Sequence, residues 1–241
     1  AQNIAIGDRA MHTGVVTGNN NVAIGAFALD TLTSGNYNTA VGSTALYLHT
    51  TGGQNTAIGN SALYSNTTSN FNTAVGYGAA YSQTTGGSNT AIGRQALYTS
   101  TGSENTAVGD VAMYYNTTGF ANVAVGRQAL YSNTTANYNN AVGYQALYSN
   151  TTGQYNSANG AQALYSNTTA SYNAAVGFRA GYNNATGTDN TYIGIQAGYY
   201  ATGTGNTFVG TSNMSGAGFY VTTGAKNTIL GGYNGNQGGL D

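Results

Sequence analysis

Two histidines, six carboxylates and no cysteine are all that this 241-residue chain offers to metal-ligand or thiol chemistry. His12 and His49 fall at different places in an internal repeat, so they cannot stack into a ligand pair. A calcium-binding solenoid needs an aspartate in nearly every repeat, and the acidic residues here are scattered. Gly203-Thr204-Gly205 resembles a fragment of a phosphate loop but lacks the helix and lysine that such loops use. Serines are frequent, yet no base stands where it would activate one. The expectation is a non-enzymatic chain with no catalytic, cofactor or metal residue. Seven Asn-x-Ser/Thr sequons occur, at Asn66, Asn116, Asn133, Asn150, Asn167, Asn184 and Asn213. They read as glycan acceptors in an exposed turn or, more plainly, as good turn chemistry.

These residues are set among fourteen exact or varied copies of one phrase, Asn-Thr-Ala-Val/Ile-Gly, as in Asn55-Thr56-Ala57-Ile58-Gly59. Ten of the thirteen intervals between leading asparagines are 17 or 18 residues, two are 16 and the last is 21. A fixed period through a whole chain signals a solenoid, in which each coil buries its apolar face against its neighbours. We number the unit from its asparagine as columns 1 to 17 and call the residue before the next asparagine the closing column. The copy Asn139 to Tyr155 is the fullest. Short apolar runs occupy columns 3–4 and 8–10, each bounded by Gly, Asn or Thr, the pattern of short strands between turns. Glycine at column 5 of every unit and many β-branched and asparagine residues argue against helix.

The predicted fold is therefore all-β, a parallel β-solenoid or β-roll with two short strands per coil of about 17 residues. Coils stacked at about 4.8 Å would make a rod of roughly 60 Å. Like residues would form ladders: asparagines (Asn55, Asn72, Asn139), glycines at a tight turn (Gly59, Gly76, Gly143) and tyrosines (Tyr64, Tyr81, Tyr148). Side chains alternate between strand faces, and both faces of each run are apolar or small. Val/Ile at column 4 and Leu at column 9 are expected inside, with Ala at close contacts, although the pattern leaves the opposite assignment open. The apolar outer face then needs a partner, most simply two further copies about a three-fold axis.

Residues 1–210 read as the repeat shaft and 211–241 as an irregular insertion and a final repeat leading to a downstream domain. The segment Thr211 to Ala225 breaks the period by inserting Ser215 to Val221. It reads as a transition between substructures, with a contact loop as the other possibility. The chain begins and ends inside repeats, which suggests a segment or processed form of a longer protein.

Only 5% of residues are charged and the net charge is −1. Nothing here forms the basic footprint of a nucleic-acid or anionic-membrane binder. No apolar run approaches the 18 residues of a membrane span. Proline is absent, as suits a chain whose coils are hydrogen-bonded throughout. Charges gather at columns 6 and 7 (Asp8, Arg9, Arg94, Asp110, Arg127, Arg179) and at the closing column (Glu104, Asp189, Lys226), which places those turns in water. Asp30 is the single charge within a predicted strand.

At Asn-Thr-Ala-Val/Ile-Gly followed by a second apolar run, the units resemble the repetitive segments of phage tail-fibre proteins. More loosely, they are similar to the head repeats of trimeric autotransporter adhesins, whose period is shorter. The resemblance covers residues 3–210. It implies a homotrimeric, non-enzymatic fibre in a virion tail or at a cell surface. Its partners would be copies of itself and a host-surface glycan or receptor, presented by a rigid spacer. A self-assembling extracellular filament and a glycan-binding adhesive shaft are the alternatives. The resemblance carries over no receptor-contacting residue.

Overall fold

The computed structural model describes residues 2–13, 15–212 and 215–235. The chain divides into two compact units, residues 1–121 and 122–241. Each is a parallel β-solenoid with coils of about 17 residues, and no helix occurs among the described residues. The first unit carries β1 (Ile4–Ile6), β2 (Val22–Ile24), β3 (Thr39–Val41), β4 (Thr56–Ile58), β5 (Thr73–Val75), β6 (Thr90–Ile92) and β7 (Thr106–Val108). The second carries β8 (Val123–Val125), β9 (Asn140–Val142), β10 (Ser157–Asn159), β11 (Ala174–Val176), β12 (Thr191–Ile193), β13 (Thr207–Val209), β14 (Thr211–Ser212), β15 (Ser215–Gly216) and β16 (Thr228–Leu230). Within each unit successive coils pair in strict register, Ala40 on Ala57 and Ala141 on Ala158. In the second unit β13 pairs directly with β16, and β14 and β15 form a small antiparallel hairpin between them. After that hairpin Ala217 to Val221 resume the columns: the Ala217 carbonyl accepts from Gly198 N–H at 2.9 Å, as the column-8 alanine of other coils does from its neighbour.

The second strand expected at columns 8–10 is absent among the described residues, where each regular coil has one strand, at columns 2–4. The Ala-Leu-Tyr run is instead a chain of turns. Columns 7 and 9 lie in the left-handed region, for example Ser61 (φ 56) and Leu63 (φ 51). Two local bonds close the turns, Ala62 N–H to Gly59 O at 3.3 Å and Asn66 N–H to Leu63 O at 3.1 Å. A non-glycine left-handed residue costs about 1–2 kcal/mol. Bonds to the adjacent coils offset that cost: Ser61 N–H to Ser43 O at 2.9 Å and Leu63 N–H to Ala79 O at 3.0 Å. The run is thus hydrogen-bonded between coils without being extended.

The strand faces also differ from expectation. Ala40, Ala57 and Ala74 at column 3 are fully buried, whereas Val/Ile at column 4 face outward, Ile58 being 40% and Val176 45% exposed. The asparagine at column 1 sets this parity. Its amide is needed inside to satisfy buried backbone groups, so by the two-residue period column 3 also turns inward and columns 2 and 4 turn out. Leu46, Leu63 and Leu97 at column 9 are buried, as expected.

The core is thin, and its volume is traded between columns. Where column 3 carries Tyr192 and Phe208 instead of alanine, column 9 is Gly181, Gly198 and Gly218 instead of leucine. A Cβ on Gly198 would stand 2.4 Å from the Tyr192 ring, and one on Gly218 2.5 Å from Phe208.

Candidate functional site

The asparagine column is an interior ladder. Asn72 Oδ1 accepts from the backbone N–H of Asn89 at 3.0 Å and from its Nδ2 at 3.2 Å, while Asn72 Nδ2 donates to Gly86 O at 3.2 Å. Asn55 serves Asn72 in the same way, at 3.0 and 3.2 Å. In the second unit Asn139 Oδ1 accepts from Asn156 N–H at 2.9 Å, and Asn139 Nδ2 donates to Gly153 O at 2.9 Å. Each amide therefore joins its own coil to both neighbours with every polar atom engaged, which is what a buried amide requires.

At column 5, Gly59, Gly76 and Gly143 have φ of 133°, 136° and 136°, a region that side chains rarely adopt. A Cβ on Gly59 would meet Gly76 O at 2.5 Å. The column is glycine for two reasons, conformation and the approach of the next coil.

The tyrosines of column 10 stack face to face. Tyr47, Tyr64, Tyr81, Tyr98 and Tyr114 follow one another at 4.9–5.1 Å between ring centroids. In the second unit Tyr131, Tyr148, Tyr165, Tyr182 and Tyr199 do so at 5.0–5.2 Å. Phe219 adds a further ring, 5.1 Å from Tyr199. Burial, and then the neighbouring phenols, push the Tyr64, Tyr98 and Tyr165 hydroxyls above their ordinary pKa. Tyr192 is raised by burial alone, and its hydroxyl lacks a hydrogen-bond partner.

The sequons of column 12 do not lie in an exposed turn. Asn66, Asn116, Asn133, Asn150, Asn167 and Asn184 are fully buried. Their Nδ2 groups, the atoms a glycan would modify, donate inward: Asn133 to Ala136 O at 3.1 Å, Asn150 to Gly153 O at 3.0 Å and Asn184 to Gly187 O at 2.9 Å. These residues cap the long turn from inside, so the turn-chemistry reading holds for them. Asn213 lies outside the described residues. The threonines of column 13 likewise serve the stack, Thr50 Oγ1 donating to Thr67 O at 3.0 Å and Thr151 Oγ1 to Thr168 O at 3.0 Å.

His49 replaces asparagine in this second interior ladder. Its Nε2 lies 2.8 Å from Gly52 O and its Nδ1 2.8 Å from Asn66 Oδ1. A carbonyl only accepts, so Nε2 carries the proton. Burial lowers the pKa, against smaller raising effects from the Gly52 and Asn66 bonds, and leaves the ring neutral. Nδ1 is then an acceptor; turning the Asn66 amide over would set its Nδ2 on Nδ1 and its Oδ1 on the Ser69 hydroxyl, the reverse of the placed orientation, in which Nδ2 donates to Ser69 Oγ. His49 is a structural substitute for an amide, and its partners differ from those of His12. His12 Nδ1 lies 3.9 Å from Asp30 Oδ1, in a group where Arg9 Nη2 reaches Asp30 Oδ2 at 3.3 Å. Asp30 itself is buried. Among the described residues no three His, Cys, Asp or Glu side chains gather as a metal site. No helix among them is long and apolar enough to cross a membrane. The Gly203 carbonyl accepts from Asn190 Nδ2 at 2.9 Å, so Gly203-Thr204-Gly205 belongs to a long turn of the solenoid.

Sequence reasoning used the charges of the closing column but passed over its aromatic residues. Its residues also sit at positive φ (Tyr37 59°, Gln54 61°, Phe71 62°, Tyr155 57°), which turns their side chains outward. Tyr138, Tyr155 and Tyr172 form an exposed stack at 5.1 and 5.2 Å. In the first unit Tyr37 and Phe71 flank Gln54 and, with it, line a groove of about 240 Å³. The available signal was the recurrence of an aromatic directly before the asparagine.

No protein-family model, no curated protein and no solved structure matches the chain.

Proposed function

We propose that the chain is a non-enzymatic structural fibre segment, of the kind its repeats resemble in phage tail fibres and surface adhesins, that holds a recognition element away from a virion or cell. The observation that carries this reading is the strict register of each unit. Strand bonds, interior asparagine amides and stacked tyrosines all link one coil to the next, so bending a unit breaks several ladders at once. The material is spent on coil-to-coil bonding. In the first unit Ile58 and Ile92, and in the second Val176 and Ile193, face outward at about 40% exposure, which supports self-association, most simply as a homotrimer. An apolar strip repeated at successive coils of a unit, interrupted in the second unit by Asn159, matches the same strip on a second copy without further design.

Electron microscopy of the purified full chain tests this reading. Short, straight, uniform particles are expected. Indefinite filaments would favour a polymerising subunit, and compact globular particles would overturn both readings.

A further inference from the structure

The closing column carries a difference between the two units. In the second, Tyr138, Tyr155 and Tyr172 fill three successive coils and stack at 5.1 and 5.2 Å. In the first, Gln54 stands where the middle ring would be, between Tyr37 and Phe71. These two rings are two coils apart, a separation of about 10 Å at the usual inter-strand spacing. Tyr37 is 60% and Phe71 59% exposed, against 47% for Tyr138 and Tyr155 and 60% for Tyr172 at the end of the stack. The missing rung is the reason the groove exists.

The groove's own backbone is satisfied. Gly53 N–H donates to Asn70 Oδ1 at 2.6 Å, Gln54 N–H to Asn36 O at 2.9 Å and Phe71 N–H to Gly53 O at 3.2 Å. The Asn36 amide is used on both atoms, accepting from Asn19 N–H at 2.8 Å and donating to Ser34 O at 3.0 Å. With its oxygen held, the Asn70 amide has its Nδ2 to spare. The Gln54 amide and the Thr51 hydroxyl likewise have no protein partner among the described residues. Three polar groups without a protein partner thus line the groove together with two aromatic rings.

No charged side chain lines the groove. A phosphate, carboxylate or ammonium ligand would find no counter-charge there. A planar aromatic would use the rings and leave the amides and hydroxyl unpaired, at a desolvation cost. A pyranose offers both halves of the match, an apolar C–H face for a ring and hydroxyls for amide and hydroxyl groups. We propose that the groove between Tyr37 and Phe71 is a binding site for a neutral sugar ring. This site goes beyond the structural reading above and does not depend on it.

Saturation-transfer NMR on the full chain tests it, with the methyl β-glycosides of glucose, galactose and N-acetylglucosamine as probes and p-cresol as the aromatic comparison. Transfer to ring C–H protons of at least one glycoside is expected. Gln54→Tyr, which completes the aromatic stack, should abolish it. Tyr37→Ala and Phe71→Ala should each weaken binding about tenfold, the loss of one stacking contact. Tyr155→Ala, in the other unit, should leave it unchanged. All four positions are solvent-exposed, so the variants should stay folded, Tyr155→Ala alone giving up two stacking contacts and melting somewhat lower. No transfer from any glycoside, transfer that survives both Gln54→Tyr and Phe71→Ala, or binding of p-cresol alone would overturn the proposal.

Discussion

Gly198 lies so close to Tyr192 that a β-carbon on the glycine would stand 2.4 Å from the aromatic ring. Elsewhere the same two columns hold leucine and alanine, as Leu46 and Ala40 or Leu63 and Ala57, all fully buried. The pair is one solution of two to a fixed interior volume. Gly198→Leu alone should overpack the core and destabilise the second unit by about 1–3 kcal/mol or more. Adding Tyr192→Ala should recover most of the loss, because the double variant restores the common pair. Thermal melts of both single variants and the double variant give the coupling. Additive destabilisation would show that the two side chains do not share one space.

Asn72 is the clearest case of a residue held for its interior hydrogen bonds. Asn72→Ala leaves the buried Asn89 N–H without an acceptor and removes one of the two side-chain donors to Gly86 O, the other being Gln83 Nε2. The expected cost is about 2–4 kcal/mol in urea denaturation. Thr73, the next residue, faces outward, and Thr73→Ala should cost less than about 1 kcal/mol. Equal effects at the two positions would contradict the assignment of inside and outside.

The column-5 glycines should tolerate no side chain. Gly59→Ala puts a methyl group 2.5 Å from a backbone carbonyl oxygen at a φ of 133°. A loss of about 3 kcal/mol or more is expected, read from the denaturation midpoint. A near-neutral Gly59→Ala would mean that the coils can separate without cost.

His49 makes the first unit sensitive to pH. Its folded pKa is below the ordinary 6.5, so the fold favours the neutral ring. That contribution is fully present above the unfolded value and is lost as pH falls through the lowered folded value. Between about pH 8 and pH 5 the melting temperature of the parent should fall more than that of His49→Asn, which restores the residue type most common in this column. Parallel pH profiles would remove His49 as the cause.

The period, the class of fold and the ladders were legible because each depends on identity repeated at one spacing. Asn55, Asn72 and Asn139 announce themselves by recurrence. The missing second strand was not legible. Leu63 at φ 51 and Ser61 at φ 56 are ordinary residues in a left-handed conformation, and nothing in a leucine or serine advertises that state. Inter-coil bonding selects it. Strand parity was ambiguous because alanine and valine are both apolar, and the deciding residue was the asparagine two places before the alanine. The sequons misled for a related reason: Asn133 and Asn150 have the composition of exposed turns, but they work from the inside. The groove at Gln54 arises from a departure in one column, visible only once neighbouring coils are aligned.

Native mass spectrometry of the intact chain, with Ile58→Asn/Ile92→Asn as the comparison, tests self-association through the outward Val/Ile row most directly. The parent is expected at three times the 24.5 kDa chain mass, and the double variant at the mass of one chain. A parent that remains a stable, soluble single chain at 24.5 kDa would contradict the fibre reading.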